Sequence, residues 1–120
     1  MNSKRRKKIE DIISNLKKHK TDLEFIKSKL SEVRHNLDSA KDDVDMILDE
    51  ETEARDNTPE PLQDTERYYQ SDEAVANMEA VVDDIESIVG DLENAVSTID
   101  DKTNDIETGI IGNLEAAIGA

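Results

Sequence analysis

Few residues in this chain are of a type and spacing that could do chemistry. Glu32-Val33-Arg34-His35 matches the Glu-x-x-His half of a di-iron site in a helical bundle. Such a site needs a second copy of the motif and an interior to face, and the sequence holds no second copy. The run Asp42, Asp43, Asp45, Asp49, Glu50 and Glu51 has the composition of a calcium site but neither the loop spacing nor the central Gly of an EF-hand. It reads as a solvated acidic face. No nucleophile neighbours a base, no glycine-rich loop could cradle a phosphate, and the absence of Cys removes thiolate ligands and disulfides alike. The expectation is a protein with no catalytic residues, no metal and no cofactor.

Charge carries more information. Residues 1 to 34 hold eleven Lys or Arg against five Asp or Glu, whereas residues 35 to 120 hold four against twenty-five. Between Asp38 and Glu86 lie eighteen acidic residues and only Lys41, Arg55 and Arg67 as basic ones. Phosphates are bound through Lys and Arg, so the balance argues against direct nucleic-acid binding by this region, and a basic partner surface is expected. The opening Lys4-Arg5-Arg6-Lys7-Lys8 opposes the dipole of any helix it starts. Its compensation is expected from Asp100, Asp101, Asp105, Glu107 and Glu115 near the other end of the chain.

The elements that hold these charges are long helices. One Phe, two Tyr, four Gly and two Pro do not make a β-rich fold. Steps of seven from Ile9 give Ile9, Leu16, Leu23, Leu30, Leu37 and Val44, and steps of seven from Ile12 give Ile12, His19, Ile26, Val33, Ala40 and Ile47. Eleven of these twelve are apolar, which is a sustained heptad. On it Val33 holds the seam, and Glu32 and His35 fall outside. Pro59 and Pro61 end the helix. Beyond them Val75, Val82, Val89, Val96, Thr103, Ile110 and Ala117 run beside Met78, Ile85, Leu92, Ile99, Ile106 and Asn113. Asp64 or Thr65 is the expected cap of this second helix.

The fold class is therefore all-α, an antiparallel two-helix coiled-coil hairpin. It forms a single unit over 1–120, with helix 1 over about 4–55, a turn at 56–63 and helix 2 over about 64–118. With its midpoint at Pro61, the hairpin pairs Ile47 with Val75, Val33 with Val89, Leu30 with Leu92, Ile26 with Val96 and Ile12 with Ile110. It also sets His19 against Thr103, a polar layer that would fix the register. A lone hairpin leaves most helical surface in water, so assembly into a helical-bundle homo-oligomer is expected. Ile13, Ile111, Leu114 and Ile118, displaced from the main seams, are the expected self-association patch. No apolar stretch is long enough to span a membrane and none follows the basic start as in a signal peptide, so a cytoplasmic protein without membrane contact is expected.

Folded at the turn, residues 38 to 86 would carry roughly one carboxylate per 2 Å of axis, against one phosphate charge per about 1.7 Å of duplex DNA. That density suits a DNA mimic, and equally a face that only keeps a coiled coil soluble. The stretch Asp49-Glu50-Glu51-Thr52-Glu53-Ala54-Arg55-Asp56-Asn57-Thr58-Pro59-Glu60-Pro61-Leu62-Gln63-Asp64, after the basic Lys4-Arg5-Arg6-Lys7-Lys8-Ile9, resembles a group of small, mostly uncharacterised acidic helical proteins of bacteriophages and prophages. The resemblance covers residues 4 to 95 and is specific at the turn. It implies a phage setting, and by analogy a protein that binds and blocks a host enzyme, in a defence system or one that binds nucleic acid. The expected partner-binding residues are Asp42, Asp45, Asp49, Glu53, Asp56, Glu60 and Asp64, with Tyr68 and Tyr69 as anchors. The alternative is a coiled-coil scaffold with no inhibitory role.

Overall fold

The computed structural model describes residues 1–119, all-helical apart from short connections. Helix α1 spans Ser3–Asp56, a 3₁₀ turn covers Glu60–Leu62, and α2 spans Glu66–Asn104. A π-helical turn, Asp105–Ile111, then leads into α3, Gly112–Gly119. No helix among the described residues is long and apolar enough to cross a membrane.

Local chemistry explains the ends. The Asn2 side chain accepts from the Arg5 amide at 2.9 Å, satisfying one of the free donors at the start of α1. At the other end of α1 the Thr58 hydroxyl donates to the Ala54 carbonyl at 3.2 Å. Pro59 and Pro61 then prevent continuation. Of the two expected caps of α2, Thr65 does the work, its Oγ1 accepting from the Tyr68 amide at 3.4 Å.

The chain divides into two compact units, Met1–Glu32 with Leu92–Ala120 (unit 1) and Val33–Asp91 (unit 2). In each, a stretch of α1 packs antiparallel to the returning chain. Unit 1 pairs Lys20 with Glu107 at 3.1 Å and Lys27 with Asp100 at 2.6 Å, so a step of seven up α1 matches a step of seven back down the chain. Unit 2 pairs Lys41 with Glu86 at 3.0 Å and Arg55 with Asp72 at 2.8 Å, two heptads apart on both sides.

These pairs locate the seam of α1, and it is not wholly the expected one. The column from Ile9 to Val44 is half-buried as anticipated. Its expected neighbour is not: Ile12, Ile26, Val33 and Ile47 are 46 to 54% exposed. The interior takes instead the column one residue further on, Ile13, Lys20, Lys27, Arg34, Lys41, Leu48 and Arg55, all buried or half-buried. Long basic side chains can do this because their methylene stems cover apolar surface while the charged heads reach carboxylates at its edge.

Two further expectations change with it. The polar layer of His19 and Thr103 does not form. His19 has 72% of its side chain in solvent, 3.9 Å from Asp22, while the Thr103 hydroxyl is buried without a hydrogen-bond partner among the described residues. The residues expected as a separate self-association patch belong to the interior of unit 1: Ile13 and Ile111 are buried, and Leu114 and Ile118 half-buried. For Ile111, Leu114 and Ile118 the π turn is the reason. Its Gly112 amide donates to the Glu107 carbonyl five residues back, which inserts one residue into the helical repeat. The next interior position after Ile106 is thereby Ile111, 4% exposed, and not Ile110, 49% exposed. The seam then continues through Leu114 and Ile118.

For the basic start of α1 the contact across the seam is a backbone carbonyl, and the expected carboxylates Asp100, Glu107 and Glu115 pair instead with Lys27, Lys20 and Lys17, further along the helix. Arg6 Nε donates to the Ile118 carbonyl at 3.3 Å, and Lys17 lies 3.7 Å from Glu115. A guanidinium at the carboxyl end of α3 is placed favourably for that helix's dipole.

Candidate functional site

The strongest concentration of charge is unit 2, and the expected partner-binding residues all fall in it. Asp42, Asp49 and Asp56 recur every seven residues on the exposed side of α1, with Glu53 exposed beside them and Asp45 half-buried nearer the seam. Asp49 lies two positions beyond Ile47, which turns the carboxylate roughly 160° away from that apolar column. Glu60 opens the 3₁₀ turn and Asp64 follows it, both exposed. The nine residues therefore comprise a stripe along α1 and a cluster at the turn.

The turn cluster is held by specific bonds. Tyr69 donates its hydroxyl to Asp64 Oδ1 at 3.2 Å, and its ring meets that of Tyr68 edge to face at 6.1 Å between centroids. The negative charge of Asp64 holds the Tyr69 phenol above the ordinary value of 10.0, with the hydrogen bond acting the same way. Tyr68 is half-buried and lines a cavity of about 790 Å³ together with Thr58, Pro59, Leu62, Arg67 and Gln70. Leu62 is half-exposed there. A hollow with both polar and apolar walls, Glu51 and Asn57 among them, thus opens beside the carboxylates.

Two cations brace the acidic stripe from within. Arg55 donates through Nε to Asp56 at 3.1 Å and through Nη1 to Asp72 at 2.8 Å, so its guanidinium stays above its usual range, first through Asp56. Lys41 is likewise held above the usual lysine range, chiefly by its bond to Glu86. Ser71 closes the same region by donating to Glu51 at 2.6 Å.

The cations at the seam were absent from the residues expected to matter, although a signal for them exists. Lys20, Lys27, Arg34, Lys41 and Arg55 share one heptad column, and Glu107, Asp100, Glu93, Glu86 and Asp72 share another running the opposite way. Two oppositely charged columns of one period define an antiparallel register as well as an apolar seam does. Glu32 and His35 are both exposed, and among the described residues no group of His, Asp or Glu could hold a metal ion. What this arrangement can do is present a fixed array of carboxylates, a hollow of mixed polarity and two tyrosines to another molecule. No family model, curated protein or solved structure matches the chain.

Proposed function

We propose that the protein acts by non-enzymatic binding, the acidic face of unit 2 engaging a basic surface on a partner protein and blocking it. The observation that carries this reading is the placement of charge. Unit 1 contains eleven basic and eleven acidic residues, and unit 2 four and nineteen, so the formal charge of −15 belongs to unit 2 alone. A general need for solubility gives no reason for one unit to be balanced and the other so far from balance. Carboxylates at DNA-like density suit the groove of a nucleic-acid-binding enzyme, and the hollow by Tyr68, with polar and apolar walls, suits a long amphipathic side chain at its rim. The resemblance of the basic start and the proline turn to small phage proteins makes a host enzyme, of a defence system or one that acts on nucleic acid, the proposed target, in the host cytoplasm.

Capture from host lysate tests this when run in parallel with a variant carrying Asp42→Asn, Asp45→Asn, Asp49→Asn and Glu53→Gln. A specific target is retained by the natural chain, lost by the variant, and released as ionic strength rises. Equal retention by both chains at high salt defeats the proposal.

A second reading, a coiled-coil scaffold, is favoured by a different observation: the column Ile12, Ile26, Val33 and Ile47 is apolar, has heptad spacing and is half in solvent. Homo-oligomerisation belongs to that reading.

A further inference from the structure

Helix α1 carries more apolar heptad columns than its own hairpin uses. The column from Ile9 to Val44 is covered by the returning chain, and the column of Ile12, Ile26, Val33 and Ile47 is not. In unit 2 the uncovered residues have company. The pair Lys41–Glu86 marks one edge of the seam, and Ile47 lies on the other side of Val44 from Lys41. Val81 and Ile88, 43% and 48% exposed, lie on the side of α2 away from Glu86, and so at the same edge as Ile47. An apolar strip with contributions from both helices is thus left open along an edge that has no ion pair of its own among those the structure shows.

A sustained seven-residue repeat is the signature of packing against another helix of the same repeat. Charge identifies that helix. From Met1 to Glu32 the chain has ten basic and five acidic residues, and from Val33 to Asp56 it has three and nine. A parallel copy of α1 would set like charge against like. An antiparallel copy sets the basic stretch of each chain against the acidic stretch of the other, and the column is matched end to end: Ile12 with Ile47 of the second copy, His19 with Ala40, and Ile26 with Val33. His19, three-quarters exposed in the single chain, meets the smallest residue of the column. We infer that a second copy of this chain docks antiparallel on the uncovered column of α1, completing a four-helix bundle. The inference rests on the scaffold reading and adds to it the partner, the face and the orientation. The carboxylates at Asp42, Asp49 and Asp56 lie roughly opposite the column on α1 and stay free.

Sedimentation of the full chain, with circular dichroism as a check on helix content, reads the first part. The natural chain is expected to sediment as a dimer. An Ile26→Glu, Val33→Glu variant keeps its helix signal, because both positions are already half in water, and its dissociation constant rises at least about tenfold. Oxidation of single-cysteine chains reads the orientation. Mixed Ile26→Cys and Val33→Cys chains cross-link to each other, while Ile26→Cys chains alone do not, since antiparallel pairing separates the two copies of position 26 by about 10 Å along the axis, beyond disulfide reach. Self-linking of Ile26→Cys chains overturns the antiparallel arrangement. An oligomer unmoved by the double Glu variant overturns this interface and leaves the scaffold reading standing. A monomer at every concentration overturns both.

Discussion

Units 1 and 2 share one architecture, two antiparallel helical stretches with a half-buried seam and basic residues reaching across it. They differ in how charge is used. In unit 1 cations and anions balance, and Lys17, Lys20 and Lys27 each meet a carboxylate of the returning chain. In unit 2 Lys41 and Arg55 meet one each, and most of the nineteen acidic residues face water. Ion pairs at exposed sites contribute little individually, typically about 0.2 to 1 kcal/mol, so neither set holds its unit together by strength. What the pairs supply in unit 1 is register and neutrality. In unit 2 the carboxylates repel one another, and folding holds that repulsion in a fixed arrangement that an oppositely charged surface or added salt relieves. The same hairpin plan therefore yields one unit whose charges balance and another that carries the whole net charge.

The largest expected effects are at the interior of unit 1. Ile111→Ala removes a buried side chain at the end of the π turn and is expected to cost about 2 to 5 kcal/mol. Ile110→Ala, one residue earlier and half-exposed, should cost under about 1 kcal/mol. Chemical denaturation of the two variants measures the difference. Equal losses would mean that the seam passes Ile106 without the inserted residue, and the description of unit 1 would fail.

Next in size is Thr103→Val. A buried hydroxyl without a partner is destabilising by about 1 to 3 kcal/mol, and a valine of the same shape removes it without opening a cavity. Stability should rise by about 1 kcal/mol, read from the denaturation midpoint. A loss would show that the hydroxyl has a partner when the protein is in solution. His19→Leu, by contrast, changes an exposed position and should leave the folding stability of the single chain within about 0.5 kcal/mol.

Much of this fold can be read from the residues. The heptads, the prolines that stop α1 and the Thr65 cap are local features with local causes, and the structure follows them closely. Two points could not be read from apolar pattern alone. On α1, three adjacent columns have the same period, two of them apolar and one basic. Hydrophobicity selects the two apolar columns, yet the returning chain offers a matching acidic column, and the folded hairpin seats Lys20, Lys27 and Lys41 where Ile26, Val33 and Ile47 were expected. Near the end, Ile110 and Ile111 are adjacent and equally apolar. Which of them faces inward depends on whether one residue is inserted into the helical repeat, and nothing local to the pair decides that. The acidic site was legible as a density of charge, while its bracing by Arg55 and the bond from Tyr69 to Asp64 depend on contacts made only on folding.

The cross-seam pairs allow a finer comparison of the units. Lys27→Ala, Asp100→Ala and the double variant form a cycle in unit 1 whose coupling should lie at about 0.2 to 1 kcal/mol and fall with added salt. The corresponding cycle at Arg55 and Asp72 should respond to salt differently. Removing Arg55 also uncovers Asp56 within an excess of carboxylates, so the loss from Arg55→Ala should exceed that from Asp72→Ala, and salt should reduce the loss. Equal losses from the two single variants at low salt would show that the acidic surroundings of unit 2 do not act on its seam.

The smallest effect is a titration confined to unit 2. The Tyr69 phenol is held above 10.0 because its ionisation would place a second negative charge beside Asp64 and would break the hydrogen bond that it donates. The sign follows from linkage. A folded-state value raised above the unfolded one adds stability that is fully present below about pH 10 and is lost as pH rises through the folded value. Lys41 and Arg55, raised by Glu86 and by Asp56, carry the same sign and keep their charge further into the alkaline range. Unit 2 should therefore hold its side-chain bonds through neutral pH and lose them from the tyrosine outward under alkaline conditions. The chain has two tyrosines and no tryptophan, so phenolate absorbance reports the turn cluster directly. Asp64→Asn should shift one of the two phenol titrations downward and leave the helix signal at neutral pH unchanged. No shift would mean that Tyr69 does not bond Asp64 in solution, and the turn cluster would then lack the fixed geometry that its proposed role as an anchor requires.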